Sequence, residues 1–275
     1  MSSILNKKKR REKITMLTAY DYPFAALLDA AGIDIILVGD SLAQVVLGLE
    51  ETRDVNMEQM LHHARAVRRA VKKAFLVGDM PYSSYQQHPR EALKNAQRFI
   101  QEAGCDAVKL EWFEHCPSVA EGIVKSGIPV MGHVGLTPQT ADKLGGFKVQ
   151  GQDALSAKAI LANAKELERS GCFSVVLECI PDRLAEMITA KLKIPTIGIG
   201  AGPHCDGQVL VLHDVLGLCE GFHPKFVKPY VNLSPLITKA VKRYGDEVRL
   251  GKFPTRKYSY GMNKEELKKL IDNAS

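Results

Sequence analysis

No two of the six cysteines (Cys105, Cys116, Cys172, Cys179, Cys205 and Cys219) have CxxC spacing. Cysteines scattered in a chain this long suit neither a disulfide framework nor a zinc site. Free thiols in a reducing cytoplasm account for them. No apolar run approaches the ~20 residues of a membrane-spanning helix. The basic run KKKRREK (7–13) lacks the apolar segment that follows it in a secretory signal. There is no strand-linked GxGxxG fingerprint, since IGIGAG (197–202) falls late and lacks the spacing. Most of the chain also lacks excess charge: the formal net charge is +6, and the run 7–13 alone carries +5 of it. A nucleic-acid binder spreads basic residues over its folded body. Neither nucleic acid nor a membrane is therefore an expected partner, and the run reads as a solvated arm ahead of the first strand.

What is present is ordinary for a globular chain. Its 275 residues are 45% hydrophobic and 25% charged, enough for one large domain with a sizeable core. One kind of join recurs. AGIDIILVGD, AGCDAVKLEW, SGIPVMGHV and SGCFSVVLEC each pass from a small residue and glycine into a short apolar stretch. Glycine there suits the residue just past a helix, where φ is positive. The stretch after it, apolar on both faces, suits a strand buried on both sides. Helical patterns over 56–74, 89–103, 154–170 and 182–192 precede such joins. The first opens on Asn56 as N-cap and gathers Met60, Leu61, Ala64, Val67 and Val71 on one face. Candidate strands fall at about 14–19, 35–40, 75–80, 107–112, 129–134, 174–179, 195–200 and 208–212. Eight βα units predict an α/β fold, a (β/α)8 TIM barrel over 12–230, with a doubly wound open sheet as the alternative. Residues 135–152 read as a lid-like loop, and 231–275 as a helical tail, packed on the barrel or on a neighbouring subunit.

In a TIM barrel the chemistry sits at the C-terminal ends of the strands. Here five consecutive candidate strands end in ionisable groups: Asp40 (followed by Ser41), Asp79, Lys109 with Glu111, His133, and Glu178. Each has a plain structural reading. An aspartate after a strand is commonly a turn former or helix cap. His133 could be a satisfied core histidine, and Lys109 and Glu111, two apart on one strand, could pair with each other. Together at one mouth they mean more, because four carboxylates with few cations repel unless a cation joins them. Mg2+ or a similar hard divalent ion suits that donor set.

TAYDY (18–22), LVGDS (37–41), GDMPY (78–82), VKLE (108–111), GHVGLTPQ (132–139), GGFKVQG (145–151), LECIP (177–181) and DGQVLV (206–211) occur in this order. In them the chain resembles the 3-methyl-2-oxobutanoate (ketopantoate) hydroxymethyltransferases of the phosphoenolpyruvate/pyruvate barrel superfamily. The resemblance implies transfer of a one-carbon unit from 5,10-methylenetetrahydrofolate to 3-methyl-2-oxobutanoate, giving 2-dehydropantoate in pantothenate biosynthesis. It implies Mg2+ or another divalent metal on Asp40 and Asp79, with Glu111 reaching it through water. Asp40, Ser41, Asp79, Lys109 and His133 would contact the keto acid, and Glu178 would be the base. A cytoplasmic homo-oligomer, a decamer, is the implied assembly. The chain departs from the family pattern at Ala43-Gln44, at Trp112-Phe113 and in TRDVN (52–56), none of them a proposed ligand or base. A related Mg-dependent C–C lyase or aldolase acting on an α-keto acid is the alternative, and a non-catalytic scaffold the third reading.

Overall fold

Each candidate strand forms, and the closed barrel is entirely parallel, with neighbours in chain order from β1 to β8 and β8 returning to β1. The strands are β1 (Ile14–Thr18), β2 (Ile35–Val38), β3 (Phe75–Asp79), β4 (Ala107–Lys109), β5 (Val130–Gly135), β6 (Ser174–Glu178), β7 (Thr196–Ile199) and β8 (Gly207–Leu210). The computed structural model describes residues 1–144, 146, 148–219 and 224–273. Gly145 and Phe147 of the GGFKVQG motif, and the last two residues of the tail, lie outside the described residues.

The helices are α1 (Ser2–Arg10), α2 (Tyr22–Ala30), α3 (Leu42–Val45), α4 (Met57–Ala70), α5 (Pro89–Gln101), α6 (Cys116–Lys125), α7 (Ala154–Arg169), α8 (Asp182–Lys191), α9 (Leu212–Val215), α10 (Ser234–Arg249) and α11 (Lys264–Asp272). Helix α4 shows why they form. The Asn56 side chain accepts from Gln59 N–H while Gln59 answers to Asn56 N–H, a reciprocal cap. Met60, Leu61, Ala64 and Val67 then bury the face that meets the sheet. The helix stops at Ala70, short of the expected 74, because the buried Asp29 carboxylate takes the N–H groups of Lys73 and Ala74 (both 2.8 Å). The glycines of the four joins (Gly32, Gly104, Gly127, Gly171) all have positive φ.

Two apolar layers result. Inside the barrel Ile14, Met16, Ile35, Leu37, Val77, Met131, Phe173, Val176, Ile197 and Val209 fill the lower half. Outside it, the other face of each strand packs on the helix ring. The solvated arm is corrected by the structure: residues 2–10 are helix α1, and Ile4 (2% exposed) joins the interior cluster. Lys7 and Lys8 reach Asp34 and Asp206 at 2.7 Å, so the basic run neutralises acids around the N-terminal end of the barrel.

Among the described residues the ring of helices is incomplete at β8. A single turn, α9, follows that strand. The outward residues Thr15 and Gln208 are exposed, Leu17 and Leu210 half-buried, and a cavity of about 770 Å³ lies against them. Helix α10 buries none of its residues, and Leu236, Ile237, Val241, Tyr244 and Val248 stay exposed. Helix α11, capped by Asn263, is likewise unburied.

Candidate active site

At the C-terminal mouth a cavity of about 370 Å³ is lined by Asp40, Ser41, Asp79, Lys109, Glu111, His133 and Glu178 together. Strand register puts them there. Asp79 ends β3 directly beside Lys109, which ends β4. His133 lies within β5, and Glu178 ends β6 beside Gly135. Gly135 has φ +99°, and a Cβ there would stand 2.2 Å from the Glu178 carbonyl oxygen, so only glycine lets the two chains run this close.

Lys109 Nζ donates to both oxygens of Asp79 (2.7 and 2.8 Å), and Asp40 N–H approaches Asp79 Oδ2 at 3.3 Å. The partner of Lys109 is thus Asp79, not Glu111. Asp40 caps no helix; its Oδ2 accepts from Gln139 Nε2 at 2.9 Å. Ser41 Oγ lies 2.7 Å from the Tyr20 hydroxyl. His133 stands between two carboxylates, with Nδ1 3.5 Å from Glu111 Oε1 and Nε2 3.2 Å from Glu178 Oε2. Neither contact has the angles of a directed hydrogen bond, and the attraction is one of charge.

The electrostatics follow from burial. Asp79 is 1% exposed, and burial drives its carboxyl up; Lys109 opposes this, Asp40 and Glu111 add to it, and the group stands at about 7. Burial likewise raises Glu111, against the pull of His133. Burial and Lys109 both disfavour the charged imidazole of His133, yet the two flanking carboxylates outweigh them and lift it to about 9. Burial also works against the charge of Lys109, but Asp79, Asp40 and Glu111 hold it above an ordinary lysine.

The donor set fits a hard divalent ion in chemistry. Asp40, Asp79 and Glu111 bring carboxylate oxygens from three adjacent strands. Glu111 Oε1 is buried with no hydrogen-bond partner, and the raised carboxyls mark a cluster short of positive charge. Among the described residues no three His, Cys, Asp or Glu side chains already converge on one point. Asp79 is turned to Lys109 and Asp40 to Gln139.

A family model described as ketopantoate hydroxymethyltransferase matches residues 1–256. The chain belongs to the ketopantoate hydroxymethyltransferase family. It is 52% identical over 270 residues to the 3-methyl-2-oxobutanoate hydroxymethyltransferase of Syntrophomonas wolfei, covering 98% of each chain. It is 55% identical to that of Desulfotalea psychrophila, covering 94% of this chain and 92% of the other. Among solved structures, phosphonopyruvate hydrolase complexed with oxalate and Mg++ superposes with a TM-score of 0.62 at 12% identity, over 99% of this chain and 95% of that one. The 2,3-dimethylmalate lyase of the PEP mutase/isocitrate lyase superfamily gives 0.60 at 12% identity, over 100% and 98%. Likeness at that identity shows the barrel fold.

Three polar residues at this family's mouth escaped the reading of strand ends. Tyr20, Tyr85 and Gln139 are each nearly fully buried and hydrogen-bond the expected site residues or one another. Tyr20 and Gln139 sit inside the motifs TAYDY and GHVGLTPQ. Their signal was present, but an uncharged side chain in a loop does not announce its target. Of the departures from the family pattern, Gln44 lines the cavity and Phe113 packs edge-on against Tyr85 at 5.6 Å.

Proposed function

We propose that this enzyme transfers a hydroxymethyl group from 5,10-methylenetetrahydrofolate to 3-methyl-2-oxobutanoate, giving 2-dehydropantoate, the first step of pantothenate biosynthesis. The observation that carries the reading is the gathering of three carboxylates, Lys109, His133 and Glu178 in one cavity of a chain of this family. The C3–H of the keto acid is too weak an acid for a bare carboxylate. A Mg2+ or similar ion, which Asp40 and Asp79 would hold directly and Glu111 through water, would supply the charge that polarises the keto group. Lys109 and the Ser41 hydroxyl receive the substrate carboxylate, and Lys109 offsets its charge. Glu178 takes the C3 proton. His133, 3.2 Å from Glu178, holds that carboxylate toward the cavity with positive charge. The C3 carbon so released bonds to the one-carbon unit as that carbon's two bonds to folate nitrogen break; water supplies the hydroxyl oxygen and gives its protons to those nitrogens, so tetrahydrofolate leaves, and the proton taken by Glu178 returns to the new hydroxyl. An imine mechanism through Lys109 is disfavoured, since the amine is held charged by Asp79.

The lid-like segment belongs to this site. Leu136 N–H donates to Glu178 O (2.9 Å) and Gln150 N–H to Cys179 O (2.8 Å), so both ends are tied where the base is carried. Incubation with 3-methyl-2-oxobutanoate, methylenetetrahydrofolate and Mg2+ tests the reading: 2-dehydropantoate forms, and chelation of the metal stops it. Cleavage of the keto acid without folate points instead to the lyase alternative.

The active form is a homo-oligomer in this reading, with the decamer implied by the family resemblance. Support comes from a bare strand face at β1 and β8 and from an α10 with an unburied apolar face. A monomer leaves both wet. Deleting 231–275 lowers the oligomeric state in light scattering while the barrel's circular dichroism persists; an unchanged assembly removes the tail from the interface. No helix among the described residues is long and apolar enough to cross a membrane. The six free cysteines accord with a reducing cytoplasm.

A further inference from the structure

Gln139 lies in the short 3-10 segment Pro138–Leu144 that follows β5, at the start of the lid-like loop. It is 1% exposed, and each of its polar side-chain atoms is engaged. Nε2 donates to Asp40 Oδ2 (2.9 Å) and to the carbonyl of Met80 (3.1 Å). Oε1 accepts from the Tyr85 hydroxyl (2.6 Å). Its backbone N–H donates to Glu111 Oε2 (3.1 Å). The Tyr85 hydroxyl in turn accepts from Glu111 N–H (3.3 Å). A carboxylate and a carbonyl only accept, so the amide NH2 must face Asp40 and Met80, which leaves Oε1 for Tyr85. No other side chain of this length satisfies the place. Glutamate would set oxygen against oxygen at Asp40 and Met80, and asparagine is one carbon short.

We propose that Gln139 is a positioning residue that sets Asp40 and Glu111 for a divalent ion and makes their placement depend on the lid segment. This rests on the reading of those two carboxylates as metal ligands. Through one residue the loop grips an oxygen of each: Oδ2 of Asp40 by the amide, Oε2 of Glu111 by the backbone. Glu111 is left with Oε1 free of any hydrogen bond, in charge contact only with His133 Nδ1 at 3.5 Å. Polar groups that orient metal ligands in this way typically change metal affinity by roughly 10- to 100-fold when removed.

The test is a titration of Mn2+ into the metal-free full-length protein, read by calorimetry and by electron paramagnetic resonance, alongside thermal unfolding. Gln139→Met, close in length and volume, binds Mn2+ roughly 10- to 100-fold more weakly than the parent. Tyr85→Phe, which releases Gln139 Oε1 and the long contact from Glu111 N–H but leaves the amide on Asp40, moves affinity the same way by less. The double variant is no weaker than Gln139→Met, because both substitutions act through one chain of hydrogen bonds. Parental Mn2+ affinity in a folded Gln139→Met with only its melting temperature lowered overturns the proposal, as do fully additive losses in the double variant. Should Gln139→Met fail to fold, Tyr85→Phe with unaltered Mn2+ affinity overturns it alone. A parent protein that takes up no Mn2+ defeats the metal reading and this proposal together, and it is told apart because it shows before any substitution is made.

Discussion

Both ends of the barrel carry aspartates beside basic side chains, and the carboxyls of one from each end, Asp34 and Asp79, are shifted in opposite directions. At the N-terminal end Asp34, Asp106 and Asp206 each stand just ahead of an even-numbered strand. Each accepts a backbone N–H from the strand before it: Thr15 (2.9 Å), Leu76 (2.8 Å) and Thr196 (2.9 Å). Lys7, Arg68 and Lys8 close on them from outside. For Asp34, burial opposes ionisation, but Lys7 and Thr15 outweigh it and the carboxyl is lowered. At the C-terminal mouth Asp79 holds a lysine at 2.7 Å and is still raised to about 7, because burial and two neighbouring carboxylates act against it. The lower set is complete in the folded chain, with donors for its charge. The upper set carries more negative charge than the protein neutralises, and shifts of that kind cluster at functional sites.

The comparison predicts that substitutions at the mouth remove turnover and those at the other end remove stability. The largest effect belongs to Glu178→Gln, which keeps the shape and loses the base: kcat falls roughly 10²- to 10⁴-fold while keto-acid binding, measured by calorimetry, survives. Full activity in that variant would end the assignment of Glu178. Next come two glycines of positive φ. Gly135→Ala, at the mouth, meets the Glu178 carbonyl at 2.2 Å as well as left-handed strain; it costs about 1–3 kcal/mol and lowers kcat with it. Gly127→Ala, at the opposite end, meets nothing within 4 Å, so it costs only the conformational strain, about 1–2 kcal/mol, at unchanged kcat. Equal loss of turnover in the two variants breaks the division between the ends.

The mouth was legible in the sequence because its chemistry is charged and its strands are apolar on both faces. A run such as IDIILVGD that ends in an aspartate stands out, and eight short apolar runs, four of them entered through glycine joins, already describe a barrel. The opposite end was less legible. In α1 four consecutive basic residues hide one decisive apolar contact, Ile4, since a charged helix with a single anchor resembles a solvated arm. The aspartates there were visible in AGID, AGCD and HCDG, but the series breaks at β6, where Phe173 occupies the place and packs on Phe75 inside the barrel at 5.5 Å. A broken period gives no pattern to read. Gln139 and Tyr85 were hidden for another reason: their importance lies in which polar group each meets across the fold, and partners 99 and 54 residues apart leave no local trace.

The smallest effect tests the lower set by its charge. Asp34→Asn keeps the size of the side chain and removes the negative partner of Lys7 and Thr15, and at pH 7 it lowers stability by about 1–2 kcal/mol. Because the folded carboxyl is lowered, the contribution of the parent is complete above the unfolded value of about 4. It fades as pH falls through the lower folded value. Denaturant melts of the two proteins between pH 7 and pH 2.5 therefore converge at the acid end, with turnover equal at neutral pH. A gap that stays constant down to pH 2.5 means that Asp34 acts through its shape and not its charge. The contrast with Asp79 would then rest on burial alone, with no role for the donors that complete the lower ring.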